Sequence, residues 1–134
     1  MKIIDGAGAI LGRLASYVAK EALKGEEIII LNCDEVVISG NKKTIKSEFK
    51  EKRSRVGHSQ KGPKLIKTSE RMVKRTIRGM LPEHRFGRGR TAFKRIKCYK
   101  GIPKEYEKEK KIIAGKEKPI KFSKIKEFAK KWRK

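Results

Sequence analysis

Cysteine, histidine and acidic residues are scarce in this chain of 134 residues. Its two cysteines, Cys33 and Cys98, are too few for a disulfide framework, and we expect both to be reduced, buried hydrophobic side chains. Because no C-x-x-C spacing occurs, the cysteines and two histidines do not indicate a zinc site. The acids are scattered among lysines and form no evident pair for acid-base catalysis.

Long apolar runs are also missing. No segment approaches the roughly 20 apolar residues that a membrane-spanning helix needs. At the N-terminus only Lys2 precedes a run that Asp5 interrupts, which is not the layout of a signal peptide. We therefore expect a soluble intracellular protein without a membrane partner.

Positive charge is the dominant property of the sequence. The formal net charge is +23. Residues 1–41 carry 4 Lys and Arg against 6 Asp and Glu, residues 42–100 carry 21 against 4, and residues 101–134 carry 13 against 5. A compact monomer with this excess needs a polyanion to neutralise it, and nucleic acid is the usual one. The first third is interpreted as scaffold and the middle third as the phosphate-binding part.

The apolar pattern predicts an α/β fold. Residues 2–4 read as a strand, residues 10–23 as a helix with a wide apolar face, and Ile28–Leu31 as a strand covered on both sides. This strand, helix, strand order favours a parallel sheet. Residues 36–38 form a further short apolar run whose place in the sheet stays open, and residues 96–98 read as a strand near a sheet edge.

Two amphipathic helices are expected in the basic middle third. The first covers residues 42–53 and buries Ile45 and Phe49. Its opposite face is assigned to Lys42, Lys46, Lys50 and Arg53. The second helix begins with Ser69 as N-cap and ends before Pro82. Its apolar stripe is assigned to Met72, Val73, Thr76, Ile77 and Met80.

The rest of the chain is interpreted as loops and one more helix. Basic loops are expected at residues 54–68 and after Pro82, the latter leading into a short helical turn. Ser123 is expected to cap a last helix. Its apolar stripe, with Ile125, Phe128 and Trp132, is interpreted as a docking face for this chain or for a partner protein.

The opening glycines allow two interpretations. Gly6, Gly8 and Gly12 lie between a strand and a helix, and Asp34 follows the second strand, as in a dinucleotide site. The spacing is one residue longer than the fingerprint, and the charge of Asp5 would oppose a pyrophosphate. We favour close packing of helix on strand over phosphate binding.

The candidate binding residues are cations of the middle third, where glycines let the backbone approach phosphates and arginines fork onto them. Phe86, inside HRFGRGR, either stacks on an unpaired base or fills the core. The candidates are Lys42, Lys46, Arg53, Arg55, His58, Lys61, Lys64, Arg71, Arg75, Arg78, Arg85, Arg88, Arg90 and Lys94.

Several motifs together resemble a known family. DG-x-G-x-x-LGRLAS-x-VAK, IIILNCDEVVISGNK, RTIRGMLP with the Gly/Arg loop after it, and IKCYKG occur in the order seen in the universal L-thirteen family of large-subunit ribosomal proteins. The similarity runs over about residues 1–103, and the lysine-rich form resembles the archaeal and eukaryotic branch.

The resemblance implies a three-layer α/β/α fold with a four-stranded, mainly parallel sheet in the order 3-2-1-4. It also implies ribosomal RNA and neighbouring ribosomal proteins as partners, a role in early subunit assembly, a cytoplasmic ribosomal location, and neither cofactor, small-molecule substrate nor enzymatic activity. We divide the chain into an RNA-binding domain, residues 1–100, and a basic C-terminal extension, residues 101–134. The alternatives are a nucleotide-dependent enzyme that uses the glycine turn and a DNA-compacting protein.

Overall fold

The computed structural model describes residues 1–55, 57, 66–115 and 119–129. In this part of the chain the helices and strands follow in the order β1 (Lys2–Asp5), α1 (Leu11–Leu23), β2 (Ile28–Leu31), β3 (Val37–Ser39), α2 (Lys42–Ser54), α3 (Ser69–Met80), α4 (Gly87–Lys94), β4 (Ile96–Cys98), β5 (Ile112–Ile113) and β6 (Phe122–Lys124). Short 3-10 turns occupy Cys33–Glu35, Lys104–Tyr106 and Ile125–Glu127. The predicted helices over α1, α2 and α3 are confirmed within one or two residues.

Four parallel strands form the main sheet, in the order β4-β2-β1-β5. The α/β class and the parallel sheet are confirmed, and β4 lies at an edge as predicted. The strand order differs in detail from 3-2-1-4 applied to the four strands indicated by the sequence. β3 lies outside this sheet and pairs with β6 in an antiparallel ribbon, while β5 completes the sheet beside β1. The two residues of β5 were too few to recognise as a strand.

The two faces of the sheet are covered differently. Ile4, Ile28 and Ile30 join the main hydrophobic cluster, to which all four α-helices contribute buried side chains. On the other face Ile3, Ile29 and Leu31 are covered by Tyr99 and Tyr106, whose ring centroids lie 5.9 Å apart. The third layer expected from the resemblance is thus formed, in the described residues, by tyrosines and not by an α-helix. Three strand side chains are buried on this face in the described residues, whereas Ile113 of β5 stays exposed.

The predicted cap role of Ser123 is wrong, and the helix after it is present in the described residues as a single turn: a 3-10 helix covers Ile125–Glu127, and the amide of Ala129 donates to the carbonyl of Ile125 at 3.1 Å. Ser123 pairs with Ile38 in the β3-β6 ribbon, and the amide of Ile125 donates to the carbonyl of Val36 at 2.9 Å. Ile125 and Phe128 are buried in the main cluster. Their apolar character serves this chain's own core, so they offer no face to a partner. Trp132 lies outside the described residues.

Residues beyond 100 thus contribute to the same sheet and the same core as the first hundred, through β5, Ile125 and Phe128. The division of the chain at residue 100 stays a prediction.

The glycine turn between β1 and α1 is a packing device. A Cβ atom on Gly6 would lie 2.8 Å from the carbonyl oxygen of Leu31 and 2.9 Å from Cγ2 of Val36. Around Gly12, in contrast, no atom lies within 4 Å of an added Cβ. Close packing is therefore confirmed at Gly6, although against the end of β2 and Val36 and not of α1 on a strand. It is wrong at Gly8 and Gly12, and Gly8 instead takes a left-handed φ of 71°.

The same turn has its hydrogen-bond donors occupied. The amide of Gly6 donates to Leu31, that of Ala7 to the Asp5 carboxylate, and that of Gly8 to Glu35. Phosphate cradles need backbone N–H groups that point at the ligand. Asp34, the candidate ribose ligand, accepts a hydrogen bond from the Ser69 hydroxyl instead. This network opposes the nucleotide interpretation.

The start of α3 differs by one residue from the prediction. Thr68 occupies the N-cap position, and Ser69 is the first helical residue. The hydroxyl of Ser69 is buried and donates to Asp34, which ties α3 to the 3-10 turn after β2. Ser69 is thus a tertiary contact and not a cap.

Both cysteines are free thiols, and Cys33 is fully buried as predicted. Cys98 is only half-buried because it lies on the edge strand β4. The neighbouring Cys98 thiol and burial both raise the pKa of Cys33, so its thiol stays protonated.

A buried carboxylate joins α1 to β1. Glu21 is 6 % exposed and accepts hydrogen bonds from Lys2 and from Lys24, the latter at 2.7 Å. These bonds lower the pKa of Glu21 from 4.5 to about 2. A carboxylate whose pKa is lowered in the folded state stabilises the fold at pH values above its ordinary pKa, here 4.5 for Glu21. This contribution disappears as the pH falls towards 2.

Replacing Gly6 with alanine is expected to destabilise the protein, because the new methyl group collides with the backbone of Leu31. Overpacking of this kind costs about 1–3 kcal/mol. Gly12→Ala is the matched control, and we expect it to be neutral or to stabilise α1 by up to about 1 kcal/mol. Urea unfolding of both variants measures the two effects. Equal unfolding midpoints would contradict the packing role of Gly6.

Replacing Glu21 with glutamine is expected to lower the melting temperature above pH 4.5. The difference from the parent protein should shrink as the pH falls from 4.5 towards 2, where the parent protonates Glu21 as well. Glu27→Gln, at an exposed position, serves as control and should show a small difference at every pH. Thermal unfolding followed by circular dichroism across this range tests the expectation. A Glu21→Gln difference that persists at pH 2 would refute it.

Candidate nucleic-acid interface

Helix α3 divides cleanly into a buried and a basic side. Met72, Val73 and Ile77 are buried against α1 and the sheet. The predicted stripe is wrong at its end, since Met80 is 43 % exposed in the last turn of the helix. On the outer side Arg71 and Arg75 are exposed and Arg78 is half-buried. The spacing of these arginines by three and four residues places them on one face.

Helix α4 follows at once and is longer than the helical turn that the sequence indicated. The start of α4 can approach the backbone at Pro82 because residue 89 is a glycine. A Cβ at that position would lie 2.4 Å from the carbonyl oxygen of Pro82. The first turn of α4 therefore lies directly on the backbone that leaves α3. The loop and α4 carry four exposed cations: Arg85, Arg88, Arg90 and Lys94.

Contacts around Phe93 connect the two basic helices. The Nζ atom of Lys74 lies 4.9 Å from the centroid of the Phe93 ring, a cation-π contact. The ring of His84 meets the same ring at a centroid distance of 6.5 Å in an edge arrangement. Lys74 and His84 thus hold α3, the intervening loop and α4 together. We call the exposed and half-exposed cations of α3, α4 and the loop between them the α3-α4 cationic surface: Arg71, Arg75, Arg78, Arg85, Arg88, Arg90 and Lys94.

None of these seven residues forms an ion pair within the described ranges. The acids among them are few, namely Glu70 in the first turn of α3 and Glu83 in the loop. The carboxylate of Glu83 accepts from the backbone amide of Arg85 at 3.2 Å. The surface therefore has an uncompensated positive charge, as an anion-binding face requires.

Helix α2 carries a second, weaker group of candidates. Lys46 is exposed and has no ion-pair partner in the described part of the chain. Lys42 lies 2.6 Å from Glu127, and Arg55 lies 2.6 Å from Glu51. The hydrogen bond from Lys42 lowers the pKa of Glu127, and that from Arg55 lowers the pKa of Glu51. These two cations are partly neutralised at the surface.

Arg53 lies on the inner side of α2, contrary to the predicted face. It shares a row with Ile45 and Phe49 at intervals of four residues. Its guanidinium carbon lies 5.7 Å from the centroid of the Phe49 ring, and Nη2 donates to the carbonyl of Phe128. Phe49 and Phe128 stack with centroids 5.2 Å apart. Arg53 is therefore bound to the C-terminal segment.

Three candidates, His58, Lys61 and Lys64, lie outside the described residues. The contacts of Lys74 and His84 with Phe93 were missed, because the sequence shows no spacing that joins α3 to α4. The inward position of Arg53 was detectable from its interval of four from Phe49.

The α3-α4 cationic surface is suited to phosphate groups. Each guanidinium presents a planar fork of donors that matches phosphate oxygens, and arginine is always charged. In the described part of the chain no group of three or more metal-ligating side chains occurs. No helix described by the structure has the length and apolar character that crossing a membrane requires.

Comparison with known proteins is consistent with this geometry. The family model described as ribosomal protein L13 matches residues 1–105. The large ribosomal subunit protein uL13 of Methanosarcina barkeri is 52% identical over 106 residues, which cover 78% of this chain and 74% of that protein. The protein of the same name in Methanocaldococcus jannaschii is 48% identical over 115 residues, covering 84% and 83%. That of Methanosphaera stadtmanae is 41% identical over 129 residues, covering 94% and 90%.

Replacing Arg53 with alanine is expected to destabilise the fold by about 1–3 kcal/mol, because the packing on Phe49 and the bond to Phe128 are both lost. Lys46→Ala on the exposed side of the same helix is the matched control and should change stability by less than about 0.5 kcal/mol. Denaturant unfolding of the two variants gives the comparison. If both variants unfolded at the parent's midpoint, Arg53 would have no structural role.

Proposed function

Because the chain belongs to the ribosomal protein L13 family, we propose that it is a structural constituent of the large ribosomal subunit that binds and stabilises large-subunit ribosomal RNA. The protein acts by neutralising phosphates that folded RNA helices bring close together. It is not an enzyme and takes neither a cofactor nor a small-molecule substrate. As a protein of archaeal type, it works in the cytoplasmic ribosome.

The α3-α4 cationic surface is the observation that supports this proposal. Six of its seven cations are arginines, and none has a carboxylate partner within the described residues. Their mutual repulsion is unfavourable in the free protein and is relieved when a polyanion binds. The glycine turn, the only nucleotide-like motif of the sequence, has its amides occupied in the fold. The geometry therefore favours a polyanion over a nucleotide.

The proposal extends to the other candidate residues, which differ in how directly they would contact RNA. Lys46 lies on the exposed side of α2 and reaches RNA that passes beside α3, whereas Arg55, just after α2, first has to leave Glu51. Lys42 leaves its ion pair with Glu127 and binds a phosphate only where RNA comes close. Arg53 contributes only by stabilising the fold. His58, Lys61 and Lys64 are proposed on their sequence alone. Binding takes place early in subunit assembly, and neighbouring ribosomal proteins contact the bound chain.

Replacing Arg85, Arg88 and Arg90 together with glutamine is expected to weaken binding to a transcript of archaeal large-subunit ribosomal RNA. Each lost phosphate contact removes roughly one unit from the slope of log affinity against log salt, so three should flatten it by about 2–3. Filter binding over a series of potassium chloride concentrations measures this slope.

The matched control removes the same charge elsewhere. Lys104, Lys108 and Lys110, replaced together with glutamine, lie in the segment around Tyr106 that covers the opposite sheet face. This variant should keep a slope close to that of the parent. An equal loss of affinity in both variants would show that binding depends only on net charge. An unchanged salt slope in the arginine variant would refute the proposed surface. Competition with duplex DNA completes the test, because preference for DNA would favour a DNA-compacting protein.

A further inference from the structure

Phe86 is an aromatic side chain that contacts no ring and no cation in the described residues, although other side chains of the α3-α4 region make such contacts. It is 71 % exposed, so the interpretation that it fills the core is wrong. Within the described part of the chain no ring and no cation stacks on it. Phe93, seven positions later, is half-buried and contacted by both Lys74 and His84. The two aromatic residues of this region therefore have different roles.

The backbone of Phe86 is held firmly although its ring is free. Phe86 is the N-cap residue of α4, and its carbonyl accepts from the amide of Arg90 at 3.3 Å. Gly87 then takes a left-handed φ of 52°, and Gly89 lies against the backbone of Pro82 and Glu83. A ring presented from a fixed backbone loses little conformational freedom when a ligand stacks on it.

The surroundings of the ring are strongly cationic. Arg85, Arg88 and Arg90 are all exposed within four positions of Phe86, and each lacks an ion-pair partner among the described residues. An apolar protein surface would not select this rim, because desolvating three unpaired guanidinium groups is costly. A nucleotide fits it, since its base offers a flat face to the ring and its phosphates offer charge to the arginines.

We propose that Phe86 is a stacking platform for an unpaired base of the bound RNA, with Arg85 and Arg88 holding the phosphates on either side of that base. The inference rests on the proposed RNA-binding function and adds to it. The arginines alone accept any phosphate backbone, whereas the ring accepts only a base that has left the helical stack. Phe86 thus directs the α3-α4 cationic surface to a loop, a bulge or a strand end and away from uninterrupted duplex.

The test compares two RNA probes that share one stem sequence. One is a hairpin with an unpaired loop that contains 2-aminopurine, and the other is a fully paired duplex of the same number of nucleotides. Phe86→Leu keeps an apolar side chain without a flat π face. It should weaken hairpin binding by about 5- to 150-fold and leave duplex binding within about twofold. Phe86→Tyr should restore hairpin binding.

The control variant is Phe122→Leu, which alters another exposed phenylalanine, 49 % exposed on β6. It should change neither affinity. In the parent complex the fluorescence of 2-aminopurine should be quenched by stacking, and this quenching should be lost with Phe86→Leu but not with Phe122→Leu.

The outcomes separate this inference from the proposed function. If the parent protein bound neither probe with a steep salt dependence, RNA binding itself would fail. Steep binding of both probes, with hairpin affinity unchanged by Phe86→Leu, would overturn only the stacking platform and would favour a protein neighbour as the occupant. An equal loss for hairpin and duplex would also overturn it, because Phe86 would then act on the fold and not on a base.

Discussion

The burial of the apolar side of α3 against α1 is the interaction on which the cationic surface depends. Burial of Met72, Val73 and Ile77 stabilises the fold by about 1.5–3 kcal/mol for each side chain, and α1 is the element that α3 contacts most in the described residues. Arginines on the outer side of the same helix repel one another, and this burial has to outweigh that repulsion. Helix α3 therefore both attaches the arginines to the core and exposes them to solvent. Loss of its packing would leave these arginines without a fixed arrangement.

The fold shows how a strand, glycine turn and helix can serve packing alone. In nucleotide-binding proteins the amides of such a turn are directed at a phosphate. Here the amides of Gly6 and Gly8 are used by Leu31 and Glu35, and the absent Cβ of Gly6 lets two backbones meet. The proposed binding surface lies instead on α3 and α4, where exposed arginine side chains offer the donors. The same supersecondary unit is thus a support and not a site.

The C-terminal segment completes the hydrophobic core, and its contacts change the interpretation of two sequence features: the apolar stripe after Ser123 and the basic residue Arg53. Ile125 and Phe128 fill the main cluster, so their apolar stripe does not mark a protein interface. Arg53 is drawn inward by the ring of Phe49 and the carbonyl of Phe128, so one cation of the basic middle third is structural. Charge density along the sequence therefore overstates the number of cations that are free at the surface. The exposed arginines of α3 and α4 are among the cations that stay without an ion pair in the described residues.

Local sequence patterns were enough to predict the class of fold, the span of α1, α2 and α3, and the basic character of the middle third. Apolar spacing and net charge are local properties, and each can be read within one helix or strand. The arrangement of distant segments in the fold established that β5 completes the sheet, that Ser123 pairs with Ile38 and that Arg53 points inward. It also decided that the ring of Phe86 stays in solvent while that of Phe93 is covered. These outcomes depend on partners distant in the chain, whose pairing releases more free energy than the local preference of any short segment.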